Sequence, residues 1–144
     1  MIILRGVGAW QAAMDAKIAQ MQGATQLALR KSLSLVERRT KQRLRTYTHP
    51  EGTPTPSPPG DPPAWVTGNL ARSVDTEGPT LVAPGRWRGQ VGPTAVYGRI
   101  QELGGVAGHG ARLDARPYLQ PSFDEALPEI RQIFVEAWRA AILK

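Results

Sequence analysis

Between residues 10 and 47 the apolar positions Trp10, Met14, Ile18, Met21, Ala28, Leu29, Leu33, Val36, Leu44 and Tyr47 fall mostly three or four apart, the spacing that keeps side chains on one stripe of a helix. One long helix is predicted there. Gly23 in its middle disfavours helix by about 1 kcal/mol relative to Ala, so a bend, or a break into two helices, is expected near it. A rod of that length buries its stripe against the rest of the chain or against another subunit, and the length favours the second.

The next pattern has no period. Ser57-Pro58-Pro59-Gly60-Asp61-Pro62-Pro63-Ala64-Trp65 follows Pro54 and Pro56, and proline fixes φ and lacks an amide donor, so an extended, water-facing connector is expected. On composition this stretch reads as a linker or as an SH3-type proline ligand. Thr67-Gly68-Asn69-Leu70 restarts ordered structure as a turn or cap. Residues 70–76 and 80–83 are short β-compatible runs, and Arg86-Trp87-Arg88-Gly89-Gln90-Val91 alternates with Trp87 and Val91 on one face, which marks Trp87 as core. Pro84-Gly85 supplies the two central residues of a turn, giving a small antiparallel sheet. Gly92-Pro93 stops the strand.

Val96, Ile100 and Leu103 then recur at helical spacing with that face inward, and Gly104-Gly105 ends the segment. Residues 104–110 hold four glycines and are expected to form a loop without fixed shape. Ser122-Phe123-Asp124-Glu125 has the spacing of a capping box, and Phe123, Leu127, Ile130, Phe134, Ala137, Trp138 and Ala141 make the apolar face of a second helix. Pro128 either kinks that helix or marks its true first turn, with a kink favoured. The prediction is an α+β fold: a long N-terminal helix, a small antiparallel β-sheet, a short helix, and a C-terminal helix packed on the sheet. It divides as a helical arm (1–48), a proline-rich connector (49–66) and an α+β body (67–144), one domain overall.

The chain has 144 residues, enough to bury a core without staples, and no cysteine, which excludes disulfides and Cys-ligated metal centres. Thirteen prolines and fifteen glycines place much of it in loops. Met1-Ile2-Ile3-Leu4 is too short an apolar run for a signal peptide, and no stretch is long enough to cross a bilayer, so a soluble, intracellular protein is expected. The formal charge of +6 permits a polyanionic neighbour without requiring one. Arg38, Arg39, Lys41, Arg43 and Arg45 crowd the end of the long helix, where the macrodipole favours cations; a basic face on DNA phosphates is the functional alternative.

Catalytic chemistry has no foothold in the pattern. His49 and His109 sit in Pro- or Gly-rich stretches without a partner at ligand spacing, and the glycine run lacks the Lys-Ser or Lys-Thr of a phosphate cradle. Ser73 with Asp75, and Ser122 with Asp124, have no ordered base. No enzyme, cofactor or metal is expected. A hydrolase with a lid at 104–110 ranks last for want of a nucleophile.

The phrase Ser57-Pro58-Pro59-Gly60-Asp61-Pro62-Pro63 followed by Thr67-Gly68-Asn69-Leu70-Ala71-Arg72-Ser73 closely resembles one in head-tail joining proteins of tailed bacteriophages. The later signals keep that family's order: a long N-terminal helix before the proline phrase, a small sheet after it, then Tyr97-Gly98-Arg99-Ile100-Gln101-Glu102-Leu103-Gly104, then Ala115-Arg116-Pro117-Tyr118-Leu119-Gln120-Pro121 and a terminal helix. Gly98 and Ile100 stand where the family more often has Ala and Val. The resemblance implies a non-enzymatic ring protein of a long-tailed phage virion, six-fold or twelve-fold, made in the bacterial host cytoplasm and placed at the neck or the upper end of the tail. It joins head to tail; a tail terminator ring capping the tail tube, or a basic DNA-binding module, are the alternatives. On this reading Trp10, Met14, Ile18, Met21 and Glu102 lie between subunits. Pro58, Pro59, Pro62, Trp65, His109 and Arg112 meet adjacent rings of other neck and tail proteins. Arg38, Arg39, Lys41, Arg43 and Arg45 face packaged DNA in the lumen.

Overall fold

The computed structural model describes residues 6–50 and 56–143, so the Met1-Leu4 run and Pro54 lie outside the described residues. The predicted α+β architecture is present. Its axis is helix α1 (Val7–Arg43), which passes through Gly23 without interruption, so of the expected bend or break the break is absent. Gly23 meets nothing within 4 Å, so its missing side chain leaves no packing defect, and the long flanking segments carry the helix across it. The helix stops at Arg43, one turn short of the predicted end, and Tyr47 lies in the following turn.

A short helix α2 (Asn69–Ser73) follows the connector and leads into strand β1 (Val74–Ala83), which pairs antiparallel with β2 (Arg86–Pro93). Residues 70–73 are therefore helical and not extended. Gly68, at φ +72, turns the chain, and α2 then carries Ala71 into the core. The hairpin closes at Pro84-Gly85 as predicted, with Gly85 at φ +70 and Ala83 opposite Arg86. In β2, Trp87, Gly89 and Val91 are half-buried and alternate with exposed Arg86, Arg88 and Gln90. A side chain at Gly89 would lie 2.6 Å from Leu33, so glycine lets α1 settle onto the sheet.

Helix α3 (Gly98–Leu103) ends at Gly104 as expected, yet it presents a different face to the interior. Val96 is 98% exposed and Leu103 faces water, whereas Gly98 is buried and Glu102 half-buried. Polar contacts described below hold the helix, and the apolar spacing misleads. The glycine-rich stretch is likewise not shapeless: β3 (Gly105–Val106) and β4 (Arg112–Leu113) pair antiparallel across a turn in which His109 takes φ +63.

Helix α4 (Leu119–Ile142) runs antiparallel to α1 and takes α1, rather than the sheet, as its main partner. Contacts step along both helices in opposite directions. Arg43 donates to the Ser122 hydroxyl and Arg39 to Glu129, the Trp138 indole donates to Thr25 Oγ1 at 2.9 Å, and Lys17 reaches the Ala141 carbonyl. Small residues line this contact: Ala28, Ser32, Ser122 and Ala126 are buried, and each serine hydroxyl donates to the carbonyl four residues back, so close helix approach leaves no orphaned hydroxyl. Pro128 lies inside the helix, settling the sequence alternatives against a late start. Two apolar clusters complete the core. Leu44, Ala71, Val74 and Tyr118 form one and Leu35, Val36 and Ala126 the other, with Val91 and Leu119 packed against both.

Candidate interaction site

From Pro56 to Val66 the connector is folded back onto the body instead of extended in water. Pro58-Pro59-Gly60-Asp61 makes a turn, with Gly60 at φ +87 and the Asp61 amide donating to the Pro58 carbonyl at 3.2 Å. Arg116 pins it. This guanidinium is buried and donates through Nε to the Ser57 carbonyl at 2.9 Å and through Nη1 to the Asp114 carbonyl, so its charge meets oriented carbonyl dipoles. The Gly60 amide adds a bond to the Ala115 carbonyl at 3.0 Å. Pro58 and Pro59 stay exposed at the turn, while Pro62 is half-buried.

Trp65 closes the connector against the end of α1. Its amide donates to the Tyr47 carbonyl at 2.6 Å, and its carbonyl accepts from the His49 amide at 3.1 Å. The indole packs on the first core cluster, and Gly68 lies so close that any side chain there would overlap the ring at 2.5 Å. Arg45 lies over the ring with its guanidinium carbon 5.2 Å from the centroid. Trp65 is thus mostly engaged within the subunit. His109 and Arg112, in contrast, are exposed on the β3–β4 turn.

Glu102 also works inside the subunit. Its carboxylate accepts the amides of Tyr118 at 2.7 Å, Leu119 at 2.9 Å and Gln120 at 2.9 Å, the free donors at the start of α4. An acidic group at that end also opposes the helix dipole favourably. This replaces the predicted Ser122–Glu125 capping box: α4 begins one turn earlier, and Ser122 lies within it. At the other end Lys17 donates to the Ala141 carbonyl at 3.2 Å, so both ends of α4 are met by charges of the matching sign from α3 and α1. Beneath the Glu102 cap, the buried Tyr118 hydroxyl donates to the Gly98 carbonyl at 3.2 Å. Burial first, then the Glu102 carboxylate and Tyr97, pushes its pKa well above the usual tyrosine range. A side chain on Gly98 would sit 2.4 Å from Pro93, which accounts for glycine at this position.

The five basic residues at the end of α1 separate. Arg39 holds Glu129 at 2.6 Å and donates to the Glu125 carbonyl; Arg43 pairs with the Glu125 carboxylate, and Lys41 with Glu37 on its own helix. With Arg45 over Trp65, Arg38 is the one of the five that makes neither an ion pair nor a ring contact among the described residues. Two of the five, Arg39 and Arg43, serve α1–α4 packing, a role sequence reading did not separate from a phosphate-binding face.

The N-terminal third of α1 is the opposite case. From Gly6 to Ala16 every residue is exposed among the described residues, since α4 ends beside Lys17. Trp10 is 67%, Met14 42% and Ile18 50% exposed; Met21, at the edge of α4, is half-buried. At 100° per residue these four lie on the face that carries Thr25, Ala28 and Ser32. The stripe that α4 covers over the body therefore runs on bare beyond it. Among the described residues no group of three His, Cys, Asp or Glu side chains could hold a metal, and no helix is long and apolar enough to cross a membrane. Comparison with known proteins finds no matching family model, curated relative or solved structure.

Proposed function

We propose that the chain is a structural ring subunit of a long-tailed phage virion that joins the head to the tail at the neck or the upper end of the tail. The observation that carries the reading is the bare apolar face of α1 from Trp10 to Ile18, which no other described residue covers and which continues the same helix that packs in the body. Proteins seldom leave a contiguous apolar patch of several hundred Å² in water without a partner for it. The order of the proline phrase, the Tyr97–Gly104 segment and the Arg116–Pro121 segment supplies the phage assignment. The exposed Pro58-Pro59 turn and the β3–β4 turn with His109 and Arg112 are the surfaces offered to adjacent rings.

Disrupting the coding sequence in its phage or prophage tests this. Filled heads and finished tails left unjoined are expected; empty heads overturn the reading. The rival, a basic module on DNA phosphates, loses ground because Arg39, Lys41 and Arg43 are already paired with carboxylates. Duplex DNA affinity measured against salt separates the two. A log-log slope of about one unit or less fits passing contact in a lumen, whereas a slope of about four or more would require most of the basic cluster to be engaged on phosphates.

A further inference from the structure

On the body, α1, β2, α3 and α4 enclose an apolar groove of about 520 Å³ whose walls include Leu29, Leu33, Leu103, Phe123 and Phe134. Leu103 is 64% and Phe123 41% exposed, although both lie in a wall of apolar neighbours. Among the described residues the groove has no occupant. The arm is its complement: Val7, Trp10, Met14 and Ile18 protrude together on one face of the helix. Together those four leave on the order of 400 Å² of apolar surface in water, about half of what one partner contributes to a standard interface.

Arm and groove cannot meet in one molecule. Met14 and Leu33 stand on the same unbroken helix, about 28 Å apart along its axis. We infer that the arm of one copy, through Trp10, Met14 and Ile18, seats in the Leu33, Leu103 and Phe123 groove of the next. Because two different patches of the same chain meet, the contact is head-to-tail, and repeating it gives a ring when the rotation closes. Closure rests on the ring reading above; the pairing of the two surfaces stands on the chain alone. It also explains why Leu103 breaks the expected inward face of α3: it points into a space that a neighbour fills.

The absence of cysteine makes the contact directly testable. Full-length Met14→Cys and Leu103→Cys chains are mixed and oxidised. A mixed disulfide dimer is expected, and a chain carrying both substitutions forms a ladder of multimers. Met14→Cys chains that link only to one another overturn the inference in favour of paired arms. A wild-type multimer in sedimentation that yields no mixed disulfide also overturns it, while leaving ring assembly by another surface intact. Met14→Asp supplies the second measurement: association weakens at least tenfold with an unchanged unfolding midpoint for the isolated subunit, because residues 6–16 are all exposed. Unaltered association in that variant, or a wild-type chain monomeric at every concentration, counts equally against it. Joining of heads to tails is scored separately in the phage, so an arm-linked ring with no role in joining would sink the proposed function and not this contact.

Discussion

Replacing Glu102 by alanine removes a carboxylate that accepts three amides of the first turn of α4, two of them partly buried. Each bond is charge-assisted, and such bonds contribute about 1.5–3 kcal/mol when considered singly; the three share one side chain that is itself half-exposed, so their energies do not add. Losing a good helix cap costs about 0.5–2 kcal/mol, and here the helix dipole loses its counter-charge as well. The combined expectation for Glu102→Ala is a loss of about 2–3 kcal/mol. For a chain of this size that lowers the thermal midpoint by roughly 4–12 °C. Glu102→Gln keeps one acceptor oxygen and no charge, so about half the effect remains. Glu102→Asp is too short to reach and falls close to Ala. The assay is thermal or urea unfolding by circular dichroism at concentrations where wild type and variant have the same mass. A shift of less than about 0.5 kcal/mol for Glu102→Ala refutes the cap, and a changed oligomer mass without a changed midpoint returns Glu102 to the subunit boundary that the sequence reading gave it.

Tyr118→Phe removes the buried bond to the Gly98 carbonyl and is expected to cost about 1 kcal/mol at neutral pH. The folded state holds the tyrosine proton more tightly than the unfolded chain, so this contribution is fully present below the unfolded pKa of about 10 and is lost as pH rises above it. Wild type should therefore lose stability more steeply than the Phe variant in alkaline urea titrations, and parallel curves contradict the burial argument. Gly23→Ala is expected to raise stability by about 0.5–1 kcal/mol, since the position is helical, open and free of neighbours within 4 Å; a destabilised variant means that α1 bends there. Ala126→Leu forces a larger side chain between α4 and Leu35 and Val36, and a loss of about 1–3 kcal/mol in chemical denaturation checks that the two helices are as tightly packed as described.

Local pattern was enough for the two long helices, for the Pro84-Gly85 turn with the alternation of Trp87, Gly89 and Val91, and for the stop at Gly104. These follow from short-range rules: a period of 3.6 or 2, a preset φ at proline, and glycine at positive φ. The apolar run of Trp10, Met14 and Ile18 was legible too, since exposure of that run required only that the partner helix be shorter than α1. Tertiary structure alone decided the rest. The Glu102 cap spans sixteen to eighteen positions, and the bonds of Arg39 and Lys17 to α4 span up to 124, distances over which no spacing rule operates. The same folding consumed Arg39 and Arg43 in ion pairs with α4, drew Arg116 under the connector and turned Leu103 outward. A charged or hydroxyl group looks the same in sequence whether it meets water, a ligand or a buried carbonyl. Which of these it meets depends on how the antiparallel α1–α4 pair is aligned, and that alignment is set by the packing of Ala28, Ser32, Ser122 and Ala126 in three dimensions.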